Sequence, residues 1–546
     1  MTLPLSRLTQ NPRFVCRGDP NLAVHARQWF ETAGRGDGGP EVWCYTDRLS
    51  YAAGETVKLH AISNVARIEI EVHSESLRPA RMLNLSTAAA WADTIGSASV
   101  DGCGWPEVAA FDIGRDWPSG VYRITVRPSG DPSDAAHAHH LLVVRPGNAE
   151  RHNRLLLVTA DSTWNAYNGW GGSNHYQGIV DPATTRYSAR LSNQRPFARG
   201  FVSLPAGAPR TLPEHPPPPG VPVSYPNMEW AWREGFSKKY ASAGWASYER
   251  HFARWAEAEG YLFDVATQQD LHARPDVLDG YRCAVMVGHD EYWSWQMRDA
   301  VDEFVLGGGR VARFAGNFLW QIRLEDDGRT QVCHKYRARQ EDPFYGGPEE
   351  RLTTSCWESP EVGRPGHTTF GLDALRGMYA GWGGLGARGA GGFTVYRHGH
   401  WAFEGCGLGY GDIVGAKGRV FGYEVDGLPY RIEGGLPFPE PCVTLPYDLE
   451  ILAMGIARMR EDAFGESENA LFVGDADAVY AAEILYGRAT RETLASVDRG
   501  SGMIVHFHKG KGEVFHAGTT EWVAGLLRRD AAVEQLTRNV LNRFLA

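Results

Sequence analysis

The sequence has no basic excess. Its 55 Lys and Arg residues are outnumbered by 65 Asp and Glu, a formal net charge of −10, which excludes the broad basic face that nucleic-acid binding needs. No apolar run approaches the length of a membrane span. Met1 to Phe14 carry no apolar core of the signal-peptide kind, so a cytoplasmic protein that does not engage a membrane is expected. There is no Cys-x-x-Cys pair. Cys16, Cys44, Cys103, Cys283, Cys333, Cys356, Cys406 and Cys442 are scattered along the chain and read as reduced thiols, which excludes a disulfide frame or a zinc ribbon. A Gly-x-Ser-x-Gly nucleophile elbow is also missing, and no internal repeat is present.

What is there is a soluble globular composition, 43% hydrophobic and 22% charged, in a chain of 546 residues, too long for one ordinary domain. Residues 1–38 show no period and read as an N-terminal arm. Residues 39–147 read as all-β. Val57, Leu59 and Ala61 alternate, as do Ile68, Ile70 and Val72, and Tyr122, Ile124 and Val126. Turn signals at Ala53-Gly54, Pro118-Ser119-Gly120 and Pro128-Ser129-Gly130 separate them, which suggests an immunoglobulin-like β-sandwich. From 148 to 546 the pattern changes. Leu155 to Thr159 is a buried strand, Ser247 to Glu259 a helix, and Tyr261 to Val265 a short strand. Alternation of strands and helices over 154–320 predicts a parallel sheet with helices on both faces. Further on, Arg419 to Tyr423 reads as a strand, Tyr447 to Ala457 as a helix, residues 502–518 as a strand pair and Ala531 to Leu545 as the last helix. The glycine-rich stretch 381–392 is a loop or a lid.

One stretch concentrates the polar chemistry. Cys283 to Gly288 is an apolar strand that ends abruptly in His289-Asp290-Glu291-Tyr292-Trp293. Ser294 caps a helix whose Met297, Ala300, Val301, Phe304 and Val305 form one apolar face. Gly307-Gly308-Gly309 stops it, and Val311 to Ala315 returns as a second strand ending at Gly316-Asn317. Open α/β sheets gather ligand sites at such strand ends. A second polar segment, Asp161 to Tyr176, follows the first strand and is rich in Asn, Gly and aromatic rings.

The strand-end residues Tyr167, Asn168, His289, Glu291, Tyr292, Asn317 and Glu424 leave three readings open. Thiol catalysis needs an exposed cysteine on a sharp turn, and Cys283 instead opens an apolar strand. A metal hydrolase fits hard phenolate and carboxylate donors, which suit an ion such as Fe(III) that polarises a carbonyl or activates water. The third reading is a non-catalytic small-molecule- or carbohydrate-binding protein on a degenerate sheet of the same kind.

Longer motifs carry a resemblance. Thr163-Trp164-Asn165-Ala166-Tyr167-Asn168-x-Trp170-Gly171-Gly172, then Gly288-His289-x-Glu291-Tyr292-Trp293-Ser294, then Gly316-Asn317, then Gly422-Tyr423-Glu424-x-Asp426 resemble the large (beta) subunit of the N,N-dimethylformamidase family over roughly residues 150–546. The resemblance implies a glutamine-amidotransferase-like three-layer α/β domain that has lost its thiol triad. It also implies one Fe(III) held by two tyrosine phenolates and a glutamate, and hydrolysis of a small formamide. Matched residue by residue, it implies Tyr167 and Glu291 as metal ligands. It implies His289 and Asn317 as orienting the amide and stabilising the oxyanion, and Glu424 as general base. The second tyrosine falls by spacing near residues 205–212, where the sequence has none; Tyr225, beyond the proline run, is its expected replacement, ahead of Tyr187. The expected partners are a small amide substrate and other copies of the chain in a homo-oligomer. The sequence does not identify a small subunit.

Overall fold

The computed structural model describes residues 14–17, 24, 27–34, 38–94, 96–130, 137–147, 153–178, 187–215, 225–377, 391–458 and 474–546. Most of the N-terminal arm, the proline run at 216–219 and most of the glycine-rich stretch 381–392 lie outside these residues.

Two sheets face each other across one apolar cluster at the start of the chain. Val42–Thr46, Thr56–Ser63 and Glu107–Asp112 form the smaller one. Ser50–Ala52, Ala138–Arg145, Gly120–Pro128, Arg67–Ser74 and Arg81–Ala88 form the larger, in that spatial order. The alternating residues Val57, Leu59, Ala61, Ile68, Ile70, Val72, Ile124 and Val126 all turn inward to this cluster. Alternation also binds these sheets to the rest of the molecule. Val42 and Cys44 point into the cluster, whereas Trp43 and Tyr45 point the other way and join the main core. There Trp43 and Trp105 each meet Trp170 edge-on, with ring centroids 5.4 Å apart in both pairs. The sheets therefore brace the loop that carries Trp170.

The main core surrounds a nine-stranded sheet. Its order is Asp264–Thr267, Leu155–Thr159, Cys283–His289, Arg310–Gly316, Gly512–His516, Arg499–Lys509, Glu450–Arg458, Phe393–Val395 and Ile413–Val414. The run from Asp264–Thr267 to Gly512–His516 is parallel, and the remaining pairings are antiparallel. The parallel strands are buried along their length, as their continuous apolar runs require. Helices Glu249–Ala258, Trp522–Leu527 and Ala531–Leu545 pack on one another beside this parallel half, and Gln268–Ala273 packs with Trp295–Gly307. Ser294 caps the last of these, accepting from the Met297 N–H, and Gly308 ends it in the left-handed region at φ 115°. No helix among the described residues is long and apolar enough to cross a membrane.

Two local expectations are corrected. Residues 447–457 are not helical: Glu450–Arg458 is a strand paired antiparallel with Arg499–Lys509. Its apolar run Ile451 to Met454 is buried without helical periodicity, and such short runs are ambiguous until a pairing partner decides. Arg419 to Tyr423 is not a strand but an irregular segment, with Arg419 at φ 49°. It is held by side chains instead of a ladder: the Thr519 hydroxyl donates to the Val420 and Gly422 carbonyls at 2.6 and 2.8 Å.

At the end of the Cys283–His289 strand, Gly288 has φ 81°, and a Cβ there would lie 2.6 Å from the Tyr248 Cβ. This position bends the end of the strand at His289, from which the chain leads on to Glu291. Gly288→Ala is expected to lower unfolding free energy by at least about 1–3 kcal/mol through overpacking, measured by chemical denaturation.

Candidate active site

The centre lies where the parallel strands end. Tyr167 is the last residue of helix Asp161–Tyr167, which follows the Leu155–Thr159 strand directly. The chain then reverses through Gly171 and Gly172, at φ 86° and 104°, and returns as Tyr176. Asn174 clamps the return: its amide donates to the Tyr167 carbonyl at 3.3 Å, and its carbonyl oxygen accepts from the Tyr176 and Gln177 N–H groups, both at 2.8 Å. The Tyr167 and Tyr176 rings end 4.5 Å apart.

Both phenols converge on Glu291. The Tyr167 hydroxyl donates to Glu291 Oε2 at 3.0 Å, and the Tyr176 hydroxyl lies 2.7 Å from each carboxylate oxygen. Tyr292 contacts the Tyr176 hydroxyl at 2.9 Å. The Thr163 hydroxyl fixes the Glu291 backbone by accepting its N–H at 2.9 Å. Two lysines lie over the rings: Lys335 Nζ is 3.3 Å from the Tyr176 centroid, and Lys239 Nζ is 5.2 Å from it. Burial holds Lys239 down, to about 8, with Lys335 adding to the shift. Burial, then the Glu291 charge, pushes both phenols well above their ordinary range. Burial opposes ionisation of Glu291, but His289 outweighs it and Lys335 adds to the effect, holding the carboxyl below its usual value.

Next to this cluster His289 stands between two carboxylates. Its Nε2 is 2.8 Å from Glu424 Oε2 and 3.3 Å from Glu291 Oε2. Its Nδ1 is 2.6 Å from both the Ser242 carbonyl and the Tyr423 hydroxyl; the carbonyl can only accept, which favours a proton on Nδ1, and the Tyr423 hydroxyl donates to the same carbonyl at 3.1 Å. Burial opposes charge on the imidazole, but Glu424 and Glu291 outweigh it and push its pKa up to about 10. Burial raises Glu424 against the pull of His289. The Asn317 amide donates to Glu424 Oε2 at 2.8 Å and lies 3.1 Å from His289 Nε2. Asn317 sits at φ 63°, a left-handed conformation that Asn tolerates, and its N–H donates to Asp426 at 2.8 Å.

Beneath the centre is a buried ion network. Arg313, with no exposed surface, reaches Asp290 at 3.2 Å, Asp426 at 3.4 Å and His516 Nε2 at 2.7 Å. It thereby joins the segment carrying Glu291 to the segment carrying Glu424.

The structure thus brings together Tyr167, His289, Glu291, Asn317 and Glu424. It does not bring Tyr225 to them. That residue opens helix Pro226–Glu234 and packs in a separate apolar cluster with Phe14, Trp29, Met228 and Trp232. Tyr187 bonds the His334 carbonyl instead. Tyr176 supplies the second phenol; its signal was the glycine reversal and Asn174 after Tyr167. Glu424 is buried and does not pair with Arg431, whose partner is Glu433 at 2.6 Å. Cys283 is fully buried, and burial pushes its thiol up to about 12, which removes it as a nucleophile.

The donors fit a hard cation. Two phenol oxygens lie within hydrogen-bond distance of one carboxylate, and no soft ligand contacts them among the described residues. Fold and centre together define a layered α/β protein with a buried phenol–carboxylate site and an adjoining histidine–carboxylate dyad. The chain belongs to the family described as N,N-dimethylformamidase beta subunit-like, C-terminal, whose model matches residues 71–535. It is 27% identical over 128 residues to the N,N-dimethylformamidase beta subunit of Paracoccus aminophilus, and 26% identical over 128 residues to that of an Alcaligenes species. Each match covers 23% of this chain and 15% of the relative's length.

Arg313→Leu leaves two buried carboxylates without their common partner. It is expected to cost about 3–5 kcal/mol, read as a lower urea midpoint with an unchanged slope.

Proposed function

We propose that the chain is an iron-dependent hydrolase of small linear amides of the formamide type, acting through a mononuclear Fe(III). The observation that carries this reading is the convergence of the Tyr167 and Tyr176 hydroxyls on Glu291, beside the His289–Glu424 dyad. Family membership and the names of the matched relatives support the substrate class. On this reading the sheet is a glutamine-amidotransferase-like domain that has exchanged thiol chemistry for metal chemistry, and the preceding sheets are an immunoglobulin-like sandwich. All eight cysteines are free, which agrees with a cytoplasmic setting. Since both relatives are called beta subunits, we extend the reading to a partner subunit, alongside self-association.

Tyr167, Tyr176 and Glu291 would hold the ion. Bound there, it would polarise the amide carbonyl and lower the pKa of water. The phenols must lose their protons to become ligands, so metal uptake releases protons and weakens as pH falls. Glu424 takes the proton of the attacking water while Asn317 holds its carboxylate in position. His289, fixed by Ser242, turns its Nε2 proton to the oxygen that gains charge, while Glu424 keeps the proton it has taken from water. That proton then passes to the leaving nitrogen. One water is added, the C–N bond breaks, and a carboxylic acid and an amine leave. General-base removal costs about 10²–10⁴ in rate.

The test is amine release from a small formamide, with iron content measured on the same samples. Tyr176→Phe is expected to lose most iron and activity, whereas Tyr225→Phe keeps both. An iron-replete, active Tyr176→Phe enzyme would remove that ligand assignment. Glu424→Gln is expected to keep its iron and lose about 10²–10⁴ in kcat with little change in KM. Full turnover in that variant would exclude Glu424 as the base.

A further inference from the structure

A second set of metal-ligating side chains lies at the opposite end of the sheet. His506 and Glu450 are direct cross-strand partners on neighbouring antiparallel strands, so their side chains share one face. His400 reaches the same spot from the turn that caps residues Trp401–Phe403. One ligand atom from each of the three lies within 4.8 Å of the other two. His400 Nε2 and His506 Nδ1 are 3.3 Å apart, and His400 Nε2 is 3.9 Å from Glu450 Oε2. Two nitrogens on one tetrahedral zinc, each at about 2.0–2.1 Å from the ion, lie about 3.3 Å apart.

We propose that His400 Nε2, His506 Nδ1 and Glu450 form a second cation site, for a borderline divalent transition metal such as Zn²⁺. Two imidazoles and one carboxylate, with the fourth position left to water, match that ion's preference. The surroundings supply the orienting partner that a ligating histidine needs. Glu513 Oε2 lies 3.3 Å from His506 Nε2, so it accepts the proton there and leaves Nδ1 free to ligate. His400 is kept neutral by burial, and by His506, Arg543 and Arg397 nearby. Binding moves the His400 proton from Nε2 to Nδ1 and costs the weak 3.3 Å bond that Nδ1 accepts from the Ala402 N–H. The guanidiniums near the site are already engaged by carboxylates: Arg543 with Glu513 at 3.1 Å, and Arg397 with Glu450 at 3.8 Å.

This site is separate from the tyrosine centre. Glu513 pairs with Arg310, at the start of the strand whose far end leads to Asn317. Seven residues of extended chain span about 23 Å, at about 3.3 Å each.

Calorimetric titration of the chelator-treated full chain with Zn²⁺ tests the proposal. The 1:1 event assigned to this site should persist in Glu291→Gln. It should weaken about tenfold or more in Glu450→Gln and in His400→Gln. Both positions are only partly buried, and melting curves without metal check that the variants fold. Zinc should raise the melting temperature of the wild-type chain more than that of either variant. Unchanged affinity in both variants would overturn the proposal. So would the absence of zinc binding in the wild-type chain, or loss of all zinc binding in Glu291→Gln.

Discussion

The buried guanidinium of Arg313 is the interaction on which the centre depends. It sits in the middle of a parallel strand, where a charge needs partners, and its two terminal nitrogens find them. Its partners, Asp290 and Asp426, stand one position before Glu291 and two after Glu424. One cation therefore sets the spacing of the two carboxylates that matter. Asp426 passes the constraint on by accepting the Asn317 N–H, and Asn317 passes it to Glu424. A network of this kind is weak evidence for stability as such. Its value here is geometric, because neither the 289–291 turn nor the irregular 420–426 segment is held by a continuous ladder of its own.

Desolvation shapes the chemistry within that frame. Tyr167, His289 and both carboxylates are almost wholly buried, and Tyr176 is partly buried. In such surroundings a carboxylate needs a nearby positive or proton-donating group to stay ionised. Glu291 has two phenols, His289 and the charge of Lys335. Glu424 has Asn317 and His289, but burial outweighs them and pushes it the other way. The two carboxyls are thereby shifted in opposite directions, Glu291 downward and Glu424 upward.

Much of this was legible in the sequence where local pattern and tertiary role agree. The Cys283–His289 strand, the Ser294 cap, the helix face from Met297 to Val305 and the return to Asn317 follow from apolar periodicity, and they bring His289 and Asn317 together. The alternating strands before residue 147 were equally plain. The pattern failed where side chains replace periodicity. The Glu424 segment reads as a strand from its apolar residues, but Thr519 and Thr520 hold it in an irregular path. The strand Glu450–Arg458 is apolar without alternation, so only its pairing distinguishes it from a helix. Linear spacing points to Tyr225, whereas loop geometry brings Tyr176 to Tyr167 and Glu291. Tyr176 follows Tyr167 by nine residues, but the glycine reversal and Asn174 stack the two rings, whereas Tyr225 opens a helix in another core.

The central claim is that one iron sits between Tyr167, Tyr176 and Glu291. An anomalous difference map collected across the iron edge, on crystals of the iron-loaded chain, tests it most directly. The account predicts a single strong peak within coordination distance of both phenol oxygens and the Glu291 carboxylate, lost below the edge. A map with no iron peak there, in protein that hydrolyses a small formamide, would contradict it.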